Sequence, residues 1–193
     1  GPDAGAGSAG PFRGTKATLY EGGTRSPLVV WGPGLIAPDK AGCHNETSVF
    51  AAFDLAPSLL AIAGVSCPAE VTFDGEDLAS VLRGQSAASR SAPLFWRRPP
   101  DRKMTSGSGP LPDLSVREGD WKLLCEYDGR QPQLYHLATD RGETTNLATR
   151  HPELVTRLTR AALAWDQSMP ADNGSALAAE LLKAADKEKQ TRN

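Results

Sequence analysis

Residues able to do chemistry are sparse in this sequence, so what surrounds each one matters more than their number. Lys16 stands out. It lies in the stretch from Phe12 to Pro27, Phe-Arg-Gly-Thr-Lys-Ala-Thr-Leu-Tyr-Glu-Gly-Gly-Thr-Arg-Ser-Pro. Glycines and hydroxyl side chains crowd a single ammonium there, and Gly22-Gly23 permits a tight turn or a close backbone approach. A lysine held on such a turn is placed to meet an anionic group. A second cationic group, Arg97, Arg98, Arg102 and Lys103, falls in a stretch broken by Pro99, Pro100, Gly107, Gly109, Pro110 and Pro112. Long irregular loops are often functional. This one can hold a polyanion through Arg98 and Arg102. A solvated loop is the plain alternative.

The remaining reactive side chains form no constellation. Cys43, Cys67 and Cys125 are too far apart for a metal or redox pair. Three free, buried or partly buried thiols are the preferred reading, and one disulfide with one free thiol is the alternative. His44, His136 and His151 make no H-x-x-x-H or H-x-H pair. His136 and His151 read as structural, and His44 sits in a loop. Asp54 precedes a helical pattern, so capping explains it better than catalysis. Asp140, Glu143 and Asn146 lack the alternating ligands of a calcium loop and read as a turn. Asn45-Glu-Thr and Asn173-Gly-Ser match the glycosylation acceptor pattern.

With 21 basic and 23 acidic residues in 193, the net charge of −2 argues against a nucleic-acid partner held by bulk charge. No apolar run approaches the length of a membrane span, and no signal peptide is visible at residue 1.

These residues must be positioned by a chain whose pattern changes midway. Leu28-Val29-Val30-Trp31 is a short apolar run expected to be a buried strand. A helix is expected within Val49 to Val65, with Leu55, Leu59, Ile62 and Ala63 on one face and Gly64 as its stop. Asp77 to Arg83 is a short helix, and Pro93 to Arg97 a strand. Three short strands follow: Leu114 to Arg117, Trp121 to Tyr127 and Gln133 to Leu137. Glu118-Gly119 and Asp128-Gly129 mark the turns. Pro152 opens a last helix with Leu154, Leu158, Ala161, Trp165 and Met169 on one face. Strands in sequence followed by a helix predict an antiparallel sheet with a helix across it. Trp121, Leu123, Leu134 and Leu137 are expected to meet that helix.

The Phe12 to Pro27 stretch resembles the lysine segment of the type I sulfatases, R-G-x-K-x-T-x-Y-E-G-G-x-R-x-P. Arg13, Gly14, Lys16, Thr18, Tyr20, Glu21, Gly22, Gly23, Arg25 and Pro27 carry the match, and Trp31-Gly32-Pro33-Gly34 is similar to the W-P-G that follows it. Further likenesses are Asp54-Leu-Ala-Pro-Ser-Leu-Leu, Arg117-Glu-Gly-Asp-Trp-Lys-Leu, Leu134-Tyr-His-Leu and Asp140-Arg-Gly-Glu-Thr-Thr-Asn-Leu, so the resemblance spans about residues 1 to 170. Among subgroups it is nearest the arylsulfatase A and N-acetylgalactosamine-6-sulfatase type.

The resemblance implies an α/β fold. Residues 1–97 would be the C-terminal part of an alkaline-phosphatase-like sulfatase core and 98–112 an irregular loop. Residues 113–170 would be a small antiparallel sheet with a packed C-terminal helix, and 171–193 a tail. It also implies that Lys16 contacts the substrate sulfate; Arg98 and Arg102, from the basic loop, are further candidate contacts. A calcium ion and a formylglycine nucleophile would be carried upstream, on the rest of the same chain. Cys67-Pro68-Ala69-Glu70-Val71 begins like the formylglycine motif, but Val71 stands where that motif has arginine. The chain therefore reads as a C-terminal fragment of an extracytoplasmic sulfatase acting on a sulfated carbohydrate or aryl sulfate, inactive alone. Without its upstream part, the apolar faces of the Leu28 strand and the Leu55 helix are expected to be exposed. Competing readings are a phosphoester or phosphonate hydrolase of the same superfamily and a non-catalytic module that binds sulfated glycans.

Overall fold

The computed structural model of the chain describes residues 8–98, 105–106 and 109–170. They gather into two compact units, one of residues 8–25 with 95–170, the other of residues 26–94.

The first unit is built on a four-stranded sheet of order β1-β4-β5-β6. Its strands are β1 (Leu94–Arg97), β4 (Leu114–Glu118), β5 (Trp121–Cys125) and β6 (Gln133–His136). β4, β5 and β6 pair antiparallel, with Glu118 opposite Trp121 and Trp121 opposite His136. The short β2 (Thr105–Ser106) and β3 (Gly109–Pro110) pair with each other. The β4–β5 link is a two-residue turn, Gly119-Asp120, with Gly119 at a φ of 56°, as short antiparallel connections require.

Side chains along a strand alternate between faces, and here both faces are covered. Helix α4 (Pro152–Ser168) lies on one, where Leu158 and Ala162 meet Leu114, Val116, Leu123, Cys125 and Leu134. The other face carries Leu124, Tyr135 and Leu137 against Leu19, Tyr20 and Leu111. Two covered faces explain why β5 reads as a nearly unbroken buried run instead of an alternating one. They also correct the expectation for Leu137. It shares strand parity with Tyr135, so it faces away from α4. Trp165 is half-buried and stacks on Phe95, with ring centroids 5.3 Å apart. His136 and His151 both meet the Trp121 ring edge-on, at 4.7 and 4.9 Å.

The second unit holds α2 (Leu55–Ala63) and α3 (Ala79–Leu82). Gly64 ends α2 in the left-handed region at a φ of 68°. The face of α2 differs from expectation. Its buried residue is Ser58, whose hydroxyl donates to Asp54 O (2.6 Å) and accepts from Leu78 N (2.9 Å). Leu59 is 52% exposed. Polar groups that satisfy backbone donors outcompeted the apolar stripe for the interior.

Asp54 does not cap α2 with its side chain. Its carboxylate is fully buried and accepts from Ala51 N (2.7 Å), Glu76 N (2.9 Å) and Arg90 Nη1 (2.6 Å). Arg90 lies over the Phe53 ring. The expected strand at Leu28 to Trp31 is absent. Leu28, Val29 and Trp31 are 51%, 87% and 83% exposed, and the described strands lie elsewhere. A β-rich composition does not make a strand without a neighbouring chain to complete the ladder. Exposure of Leu28, Val29, Trp31 and Leu59 agrees with that expected of the two apolar faces without an upstream part, although the first segment forms no strand.

Candidate functional site

Lys16 sits on an exposed turn closed by the hydrogen bond from Thr18 N to Thr15 O (3.0 Å). Thr18 Oγ1 reinforces it, donating to Thr15 O (2.8 Å) and accepting from Thr15 N (3.2 Å). Ala17, at the following turn position, has a φ of 72°. Alanine rarely adopts the left-handed region, at a cost of about 1–2 kcal/mol, and such strain survives only where surrounding contacts dictate the backbone.

Those contacts come from within the segment and from the sheet beneath it. Gly22 N donates to Arg13 O (2.7 Å), closing the segment on itself. A Cβ on Gly22 would lie 2.4 Å from Gly14 O, and one on Gly23 would lie 2.1 Å from Thr18 O, so both positions demand glycine. Arg13 lies over the Tyr20 ring at 4.1 Å and donates to Tyr135 Oη (2.7 Å) and Glu143 O (3.0 Å). Tyr20 Oη donates to Gln133 Oε1 (2.9 Å). The segment therefore rests on β5 and β6. Leu19 and Tyr20 cover one apolar face of that sheet.

Beneath α1 (Glu21–Thr24) lies a buried charge cluster. Lys122 Nζ on β5, with no exposed side-chain surface, lies 2.9 Å from Glu21 Oε1 and 3.2 Å from Glu143 Oε1. Glu143 Oε2 accepts from Glu21 N at 2.7 Å. Arg25 and Arg117 approach Glu21 Oε2 at 3.7 and 3.8 Å. Burial pushes the Glu143 carboxyl above its usual range, against the opposing pull of Lys122 and the Glu21 amide. Burial likewise raises the Tyr135 phenol to about 12, so it stays protonated as a donor and acceptor. The sequence contained one signal for this cluster, a lysine inside the apolar run Trp121-Lys-Leu-Leu-Cys. Nothing in sequence paired it with Glu21 or Glu143.

The other candidate residues are dispersed. Arg98 is buried, with Nη2 2.5 Å from Asp113 Oδ1 and donating to Leu111 O (3.1 Å). Tyr127 Oη donates to Arg98 O. Arg97 pairs with Asp166 on α4. Arg102 and Lys103 lie outside the described residues. The thiols are free, but only Cys125 is buried; Cys43 and Cys67, expected to be at least partly buried, lie exposed on irregular backbone. Asp140 accepts from the amides of Thr144 and Thr145, which is a turn role. Asn45 Oδ1 accepts from the amides of Thr47 and Ser48. Among the described residues, no group of three or more His, Cys, Asp or Glu is placed to hold a metal ion. The described residues do not fit a calcium site. None of the described helices is long and apolar enough to cross a membrane.

Residues 12–164 match the family model of the N-sulphoglucosamine sulphohydrolase C-terminal domain. The chain belongs to the sulfatase family. It is similar to a sulfatase from Formosa agariphila, 36% identical over 152 residues covering 76% of this chain and 27% of that relative. Arylsulfatase A from Homo sapiens is 32% identical over 162 residues, 73% of this chain and 29% of the relative. Arylsulfatase K from Mus musculus is 32% identical over 144 residues, 72% and 24%. A solved structure connected with the metabolism of multiple glycosaminoglycans by Bacteroides thetaiotaomicron superposes with a TM-score of 0.61 at 25% identity, covering 79% of this chain and 31% of that one. The sulfatase chain thus spans about a quarter of the length of these curated relatives. Its small antiparallel sheet with a packed C-terminal helix is the end of a sulfatase fold.

Proposed function

We propose that the whole protein carrying this chain hydrolyses sulfate esters of a sulfated carbohydrate or an aryl alcohol, and that Lys16 meets the sulfate. The observation that carries this reading is the turn itself. Lys16 is exposed on a strained turn that Thr18 N and Thr18 Oγ1 both close onto Thr15 O. An ammonium about 4 Å from a sulfate oxygen gains roughly 4 kcal/mol at an effective dielectric near 20, before desolvation. Held rigidly, it needs no reorganisation as charge shifts in the transition state.

The nucleophile and calcium carboxylates are assigned to residues outside this chain, so residues 1–193 alone should hydrolyse no sulfate ester. Residues 1–97 would complete the α/β core, and 113–170 would support it. The family reading supports an extracytoplasmic address for the whole protein. Arg102 remains a candidate substrate contact. Arg98 does not, since its ion pair with Asp113 already occupies it.

Lys16→Ala in the whole enzyme should lower turnover of an aryl sulfate on the order of 10²-fold. Turnover near wild type would refute the assignment. Faster hydrolysis of an aryl phosphate than of the sulfate would favour the phosphoesterase reading.

A further inference from the structure

The geometry points to Lys122 as a positioning residue for Lys16, acting through Glu21 and resting on the sulfate-binding reading of Lys16 just given. Lys122 belongs to the sheet, while Glu21 belongs to the segment that carries Lys16. Their contact at 2.9 Å is fully enclosed, with Glu143 Oε1 at 3.2 Å, Thr24 Oγ1 at 3.5 Å and the Trp96 ring 5.8 Å from the ammonium.

The sheet does not need this charge to hold together. β5 is hydrogen-bonded on both sides, and α4 covers its other face. An apolar side chain at position 122 would serve burial at least as well, because desolvating three charges offsets much of their attraction. What the charges add is direction. Glu143 takes the Glu21 amide with one carboxylate oxygen and faces Lys122 with the other, so side chain and backbone of Glu21 are fixed together. From Glu21 the constraint passes to Gly22, whose amide holds Arg13 O, and Arg13 is fixed in turn by Tyr135 and Glu143 O. Both ends of the Thr15–Thr18 turn are therefore gripped by the C-terminal sheet, with Lys16 between them. A displacement of about 1 Å in such a charge can cost on the order of 10²-fold in rate.

The test uses the whole enzyme with an aryl sulfate, together with amide hydrogen exchange. Lys122→Met should lower kcat by about tenfold or more. It should also raise the exchange of the Gly22 and Gly23 amides by about tenfold or more. In a Lys16→Ala background, the same change should cost little further. Leu158→Ala, which loosens the sheet from the α4 side, is the control for a merely structural role and should leave those amides protected. Should Lys122→Met fail to fold, Tyr135→Phe removes the Arg13 acceptor with milder disruption, and its losses should likewise vanish without Lys16. Unchanged exchange in the Lys122 variant, losses that multiply with that of Lys16→Ala, or an equal effect from Leu158→Ala would overturn the proposal. Wild-type turnover in Lys16→Ala alone, with loop exchange still raised by Lys122→Met, would instead fault the reading of Lys16.

Discussion

Asp54→Ala separates a helix cap from a buried electrostatic hub. A cap residue lost from an exposed helix start costs about 1 kcal/mol. The structure demands more. Asp54 is fully buried, and its carboxylate receives two backbone amides and the Arg90 guanidinium, itself only 3% exposed. Truncation leaves that guanidinium with Ala92 O and the Glu76 carboxylate, whose nearest oxygen is 3.9 Å away. Removing one partner of a buried ion pair costs about 3–5 kcal/mol. The Ala51 and Glu76 amides lose their acceptor as well, at about 1–3 kcal/mol for each that water does not reach. The expected loss is therefore at least about 3 kcal/mol, the lower end of the ion-pair range alone. The assay is amide exchange at Leu78 and Arg90, whose amides bond Ser58 Oγ and Val49 O within residues 26–94. Exchange reads the opening of that unit without assuming that the whole chain unfolds in one step. A loss near 1 kcal/mol would match a cap, and the hub argument would fail. A double-mutant cycle with Arg90→Gln should show coupling of about 1–3 kcal/mol, as contacting residues do.

Trp165→Ala should cost about 2 kcal/mol in chemical denaturation, below the usual 3–5 for a core tryptophan, because Trp165 is only half-buried on Phe95. A cost under about 0.5 kcal/mol, typical of surface sites, would show the stack is idle. Burial and the nearby Asp113, Asp128 and Glu126 push the Cys125 thiol up to about 12. At pH 8, iodoacetamide should therefore modify Cys43 and Cys67 in the native chain, and Cys125 only after unfolding. Rapid native labelling of Cys125 would contradict its burial. The Glu143 carboxyl is raised above 4.5 in the folded state, so its ionisation penalty is absent below that pH and enters as pH rises through the folded value. Glu143→Gln should gain stability relative to wild type between pH 4 and pH 7 in thermal melts, and a difference that does not change with pH would refute this.

The local grammar of the C-terminal half was legible in sequence. Strands at 94–97, 114–118, 121–125 and 133–136 and the helix opening at Pro152 follow from short apolar runs, a Gly119 turn and a proline suited to a first helical turn. The lysine segment was legible for a sharper reason. Gly22 and Gly23 each occupy a place where a Cβ would strike backbone oxygen, so steric necessity is written into residue type.

Pairings distant in sequence were not legible. Asp54 looked like a cap because Arg90, 36 residues away, leaves no local trace. Arg98 looked like a substrate cation because its proline-rich surroundings hid Asp113. Leu28 to Trp31 looked like a strand because side chains announce β propensity, while a ladder also needs a neighbour. The sequence by itself determined the family and the C-terminal strands and helix, since each rests on patterns within a few residues, whereas the turn expected at Gly22-Gly23 is part of α1 and Lys16 lies on the Thr15–Thr18 turn instead. Only the tertiary structure decided which face of the sheet receives that segment and that Lys122 meets Glu21 across 101 positions. Attraction between such charges is weak in water and becomes strong only where packing brings them together in a low-dielectric interior.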